Sequence, residues 1–122
     1  MPLFLFLLIL ASVGLSAVAQ LVLKLGVGAA ATAGPRSVAG EMAALAQSPL
    51  VVAGLGLYGI GALMWLFVLA RAPLSLAYPF VGLGFVLTML AGALCLGEDV
   101  TPARMAGTLL IAFGCVMVAR SA

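Results

Sequence analysis

The sequence predicts an all-α membrane protein, a bundle of four transmembrane helices with antiparallel neighbours that dimerises. Three observations predict it. Of 122 residues, 66% are apolar and 7% are charged, against roughly 25% charged in soluble domains, so there is no polar shell for a water-facing core. Stretches at about 3–25, 50–70, 74–96 and 103–119 are each close to or above the roughly twenty apolar residues that cross hydrocarbon. The breaks between them carry helix punctuation rather than strand or hairpin signals.

The first span, MPLFLFLLILASVGLSAVA and onward, contains an Ala-Val-Ala pattern at 17–19 that resembles a signal-peptide cleavage site. No Lys or Arg precedes the apolar run, and the run continues through Leu21, Val22 and Leu23. A retained helix is therefore expected. Residues 26–48 form the linker: Gly26, Gly28, Gly34 and Pro35 open it, and 36–47 has the pattern of one short helix. The second span starts at Ser48-Pro49 and the fourth at Thr101-Pro102, each a capping residue before a proline at the first helical position. Ala72-Pro73 separates the second and third spans, and Gly97-Glu98-Asp99 closes the third. Lys and Arg are spread evenly over the two sides, so the positive-inside rule assigns no orientation.

Composition also removes function classes. A net charge of +2 is no footprint for nucleic acid. With no His and two Cys, both inside apolar runs, zinc sites and disulfide frameworks lack ligands. There is no Walker A sequence and no Ser-His-Asp set, so no cofactor and no enzyme activity are expected. The string GLGLYG at 54–59 matches a dinucleotide fingerprint in letters only, because that motif works between a strand and a helix. Inside an apolar span its glycines, with Gly61, suit close helix packing.

Polar side chains inside the spans carry the candidate chemistry. Ser12, Ser16, Gln20 and Lys24 recur every four residues and form one helical stripe. A lysine facing lipid costs about 2.5–3.5 kcal/mol at mid-membrane and less near the edge. The stripe should therefore face the bundle interior or a cavity. Gln20 and Lys24 read as a cavity lining, the alternative being a Lys24 that snorkels to headgroups. Ser12 and Ser16 taken alone read as serines bonded back to their own helix. In LSLAYP at 74–79, Pro79 removes the N–H that would bond the Ser75 carbonyl. Ser75, Tyr78 and that carbonyl make a polar patch, or else Tyr78 belongs to the interfacial aromatic belt. Glu98 and Asp99 cap the 97–102 turn, with Glu98 the one candidate for coupling or gating. Gly107 and Gly114, seven residues apart, suit a helix seam within this chain or with a second copy. Four short helices leave little enclosed room for a bulky ligand, which also favours at least a dimer.

Taken together, these features resemble the drug/metabolite transporter superfamily (EamA and small multidrug resistance-like) in its four-helix form. The residues that carry the resemblance are Gln20 and Lys24 at the end of the first span, LSLAYPFVGLGFVLT at 74–88 and LGEDVTPARMAGTLLIAFGCVMV at 96–118. Within the superfamily the chain is most similar to the ArnE/ArnF-type small subunits of the aminoarabinose-phosphoundecaprenol flippase. They share the Gln-x-x-x-Lys ending, the Ala-Tyr-Pro of the third span and a Glu at the following turn. The resemblance implies a multi-pass protein of the bacterial inner membrane that works as a two-chain assembly and moves a lipid-linked sugar. The small multidrug transporters are similar in helix count and in the spaced glycines of the last helix. Their essential membrane glutamate falls on Ser16 here.

The expected function is a transporter subunit that translocates a polyprenyl-phosphate-linked sugar or a related anionic lipid. Lys24 would attract the phosphate: at about 4 Å and an effective dielectric near 20, the pair gains roughly 4 kcal/mol before desolvation. Gln20, Ser16, Ser75 and Tyr78 would bond the head group. Alternatives are a small-molecule exporter of the multidrug type, and a non-transporting assembly subunit. The expected partners are membrane lipids, the amphiphilic substrate, and a second copy or a similar small subunit packed through Gly107 and Gly114 or Gly54 and Gly61.

Overall fold

A computed structural model of the chain describes residues 2–31 and 37–121. Gly34, Pro35 and Arg36 of the expected linker lie outside them. The elements are α1 (Leu3–Ala31), α2 (Val38–Gln47), α3 (Pro49–Arg71), a short α4 (Leu74–Ala77), a 3₁₀ turn at Tyr78–Phe80, α5 (Val81–Cys95) and α6 (Pro102–Arg120). Four segments are long and apolar enough to cross a membrane: Leu3–Ala29, Pro49–Arg71, Leu74–Cys95 and Pro102–Arg120.

Local chemistry explains the ends. Pro49 and Pro102 occupy the first turns of α3 and α6, where the missing N–H has no helical partner to lose. The Thr101 hydroxyl accepts from the Arg104 N–H at 3.2 Å, and the Ser37 hydroxyl caps α2 from the Gly40 N–H at 3.2 Å. Ser48 caps α3 through backbone geometry alone, without a side-chain bond. At the far end of α3, the Arg71 guanidinium donates to the Phe67 carbonyl and lies 5.6 Å from the centre of its ring, a suitable cation for a helix C-terminus.

α1 does not stop near residue 25. It runs to Ala31, and its 29 residues span roughly 44 Å at 1.5 Å per residue, longer than the roughly 30 Å hydrocarbon core. Gly26 sits inside this helix because the first turn of α3 presses on it: a Cβ there would come 2.8 Å from the Val51 nitrogen. The glycine read as a loop opener is a close-approach point. The expected short helix within 36–47 is α2, which buries none of its residues.

α1 packs against both α3 and α5, and α6 packs against α5 and the 3₁₀ turn. The dry core lies toward the N-terminal end of α1. There Leu5, Ile9 and Val13 meet Val68, Ala72, Ala77 and Phe80, with Cys115 from α6. The Phe6 and Phe80 rings meet edge to face at 6.1 Å. Pro79 is accommodated by tightening one turn to 3₁₀ geometry between α4 and α5.

Candidate functional site

The face of α1 that begins as core, through Leu5, Ile9, Ser12 and Val13, continues along the helix as Ser16, Gln20 and Lys24. One seam with α3 is closed. The buried Ser12 hydroxyl donates to the Gly61 carbonyl at 2.9 Å, across two helices rather than back along its own. A Cβ on Gly61 would lie 3.1 Å from the Ser16 Oγ, and one on Gly54 would lie 2.8 Å from the Leu23 side chain. Gly54 and Gly61 therefore lie on the α1–α3 seam inside the chain.

Toward α5 the same face of α1 floors a cleft. Its cavity of about 560 Å³ is lined by Ser12, Ser16 and Gln20 from α1, Tyr58, Ala62 and Trp65 from α3, and Tyr78, Phe85 and Thr88 from the third span. That volume lies within the roughly 300–1,000 Å³ of small-molecule sites. The cleft is open along one side, so one chain offers room of that size without enclosing it. Next to it, a cavity of about 230 Å³ shares Ala17, Gln20 and Thr88 with the first and adds Lys24, Gly92 and Glu98. Gln20 thus lines both spaces, with Tyr78 in the first and Lys24 in the second.

The structure brings Ser16, Gln20 and Tyr78 into the cleft and sets Lys24 in the adjoining groove. Ser75 is not part of it: exposed on α4, it sits one turn before the cleft begins and lines none of these cavities. Gly107 and Gly114 face open space, with nothing within 4 Å of a Cβ at either. Three lining residues with hydrogen-bonding side chains went unpredicted. Tyr58 lies within the glycine-rich string, which signals packing and masks its one polar member. Trp65 and Thr88 stand in runs with no stripe of their own; the Thr88 hydroxyl bonds to the Phe85 carbonyl at 3.1 Å.

Glu98 lies closer to the groove than its place beyond the span suggests. Gly97 adopts a left-handed conformation, φ +67°, as glycines that end helices do. The reversed chain returns the Glu98 N–H to the Gly92 carbonyl at 3.0 Å. The carboxylate then folds onto Gly92, where a Cβ would collide with Glu98 Oε1. On its other side Glu98 borders the α5–α6 cavity that contains Arg104, whose guanidinium donates to the Asp99 carbonyl at 3.3 Å.

Four apolar spans among the described residues, with a mostly apolar cleft that carries a few polar side chains, define a multi-pass helical membrane protein. No family model matches the chain, and no solved structure matches it. Relatives among curated proteins do. One from Pseudomonas savastanoi pv. phaseolicola is 40% identical over 83 residues, 68% of this chain and 72% of its own length. One from Pseudomonas aeruginosa is 44% identical over 64 residues, 52% of this chain and 56% of its own. One from Yersinia pestis is 42% identical over 60 residues, 49% of this chain and 53% of its own. Each is named "Probable 4-amino-4-deoxy-L-arabinose-phosphoundecaprenol flippase subunit ArnE". The chain belongs to this ArnE family of flippase subunits, which are transport proteins rather than enzymes, and it is a multi-pass protein of the bacterial inner membrane. The match spans little more than half the length of the P. aeruginosa and Y. pestis relatives.

Proposed function

We propose that the chain is one subunit of a flippase that carries the head group of a polyprenyl-phosphate-linked sugar through the cleft floored by α1. The observation that supports this reading is the adjacency of two cavities that share Ala17, Gln20 and Thr88: a cleft with Ser16, Tyr58 and Tyr78, and beside it a groove lined by Lys24. Lys24 attracts the phosphate, Gln20 bridges the two spaces, and Ser16 and the tyrosines bond sugar hydroxyls. The polyprenyl tail stays in lipid, so only the polar head needs a protein path. That division suits a short chain, because burying a charged head group in bare hydrocarbon is the expensive step.

The partner in this reading is a second copy or a similar four-helix subunit, packed on the open α6 face at Gly107 and Gly114. Small residues let membrane helices approach closely. α6 buries only Cys115 among its described residues, so most of its surface is free for such a partner.

The test is head-group translocation in proteoliposomes containing the chain with its partner subunit and a defined polyprenyl-phosphate sugar. Lys24→Met keeps the apolar stem and deletes the charge, so transport is expected to fall about tenfold or more, the worth of one lost charge-assisted contact. Lys24→Arg should retain part of the rate, since the charge persists while its geometry changes. Parental transport by Lys24→Met would return Lys24 to a headgroup-facing role and remove this function from the groove.

A further inference from the structure

The groove next to the cleft holds a cation and an anion. Lys24 reaches it from α1, and Glu98 reaches it from the turn after α5. The backbone dictates the second approach: the left-handed Gly97 and the bond from the Glu98 N–H to the Gly92 carbonyl turn the side chain back along α5. Gly92, without a Cβ, leaves the surface on which the carboxylate rests. Glu98 is exposed, and this turn of the backbone sets its side chain at the rim of the groove. Among the described residues the two charges form no direct ion pair, although they line one space with Gln20 and Thr88 between the α1 and α5 walls.

A groove with separated opposite charges complements a ligand with separated opposite charges. The lipid in the relatives' name has that pattern, with a phosphate and, on the sugar, a 4-amino group. An alkyl amine is protonated near neutral pH, as the lysine ammonium is. We infer that Glu98 recognises the amino group of the sugar while Lys24 holds the phosphate, which makes Glu98 the residue that selects an aminosugar-phosphate lipid over one with an uncharged sugar. This rests on the flippase reading and deepens it. Arg104, facing Glu98 from α6, is the competing partner, and its guanidinium is already engaged with the Asp99 carbonyl.

The experiment compares two lipids in proteoliposomes with the partner subunit present: a polyprenyl-phosphate aminoarabinose, and the same lipid with its amine N-formylated so that its charge is gone. The parental protein is expected to prefer the amine. Glu98→Gln should cut transport of the amine lipid about tenfold, as expected for a lost hydrogen bond to a charged group, and leave the formylated lipid unchanged. Glu98→Asp keeps the charge and should keep part of the preference. Gly92→Ala leaves the carboxylate in the protein but displaces it from its resting surface, so the preference should shrink without loss of folded protein. Equal losses for both lipids in Glu98→Gln, or an unchanged preference, would overturn the inference. Parental transport of both lipids at one rate would overturn it too and leave the flippase reading standing. Transport of neither lipid by the parental protein would remove both.

Discussion

Two pairs of glycines in this chain have the same seven-residue spacing and opposite surroundings. Gly54 and Gly61 on α3 lie against α1, with the Leu23 and Ser16 side chains where their Cβ atoms would be. Gly107 and Gly114 on α6 meet nothing within 4 Å. Spacing marks a helix face that is smooth enough for close approach. It does not say what approaches. The α3 pair is used within the chain to seal the α1 seam, and the α6 pair is the one that the proposed function gives to a partner subunit.

That contrast can be broken by substitution. Gly54→Leu has the largest expected effect: the new side chain meets both the Leu23 side chain and, at 3.1 Å, its backbone nitrogen, so α1 must move. Overpacking of this kind costs about 1–3 kcal/mol and more where backbone resists, and thermal unfolding in detergent should show a large loss of stability. Gly107→Leu combined with Gly114→Leu should leave that unfolding within about 0.5 kcal/mol of the parent, yet abolish crosslinking between subunits in native membranes. Equal destabilisation by both sets would mean that α6 is also an internal seam. Ser12→Ala sharpens the α3 side. It deletes the bond to the Gly61 carbonyl and should cost about 0.6 kcal/mol, the usual size for a polar contact between membrane helices. Ser75→Ala should have the smallest effect, with transport unchanged in the same proteoliposomes, because Ser75 lies outside the cleft.

The spans were legible because composition and length decide them with no knowledge of neighbours, and Pro49 and Pro102 mark their starts in the sequence itself. The end of α1 was not. Gly26 looks the same in a loop and in a helix pressed by another backbone, and only the position of Val51 distinguishes them. The stripe Ser16–Gln20–Lys24 was legible because a four-residue repeat fixes one face of a helix. Its counterpart across the groove was hidden, since the position of Glu98 depends on the sign of one glycine φ. Ser75 and Tyr78 are close in sequence, but the cleft begins between them, and sequence alone gives no depth for that boundary.

In the proposed function, substrate passes through the cleft between α3 and α5. Both Ala62 and its neighbour Leu63 are exposed on α3, but Ala62 lines the cleft and Leu63 does not. Lipid-linked sugar translocation should therefore be measured for Ala62→Trp and Leu63→Trp, with both proteins checked for folded assembly. The cleft account predicts that Ala62→Trp loses about tenfold or more in rate, an added barrier of roughly 1.4 kcal/mol or more, while Leu63→Trp stays near the parental rate. Undiminished transport by Ala62→Trp, or equal losses in the two, would contradict it.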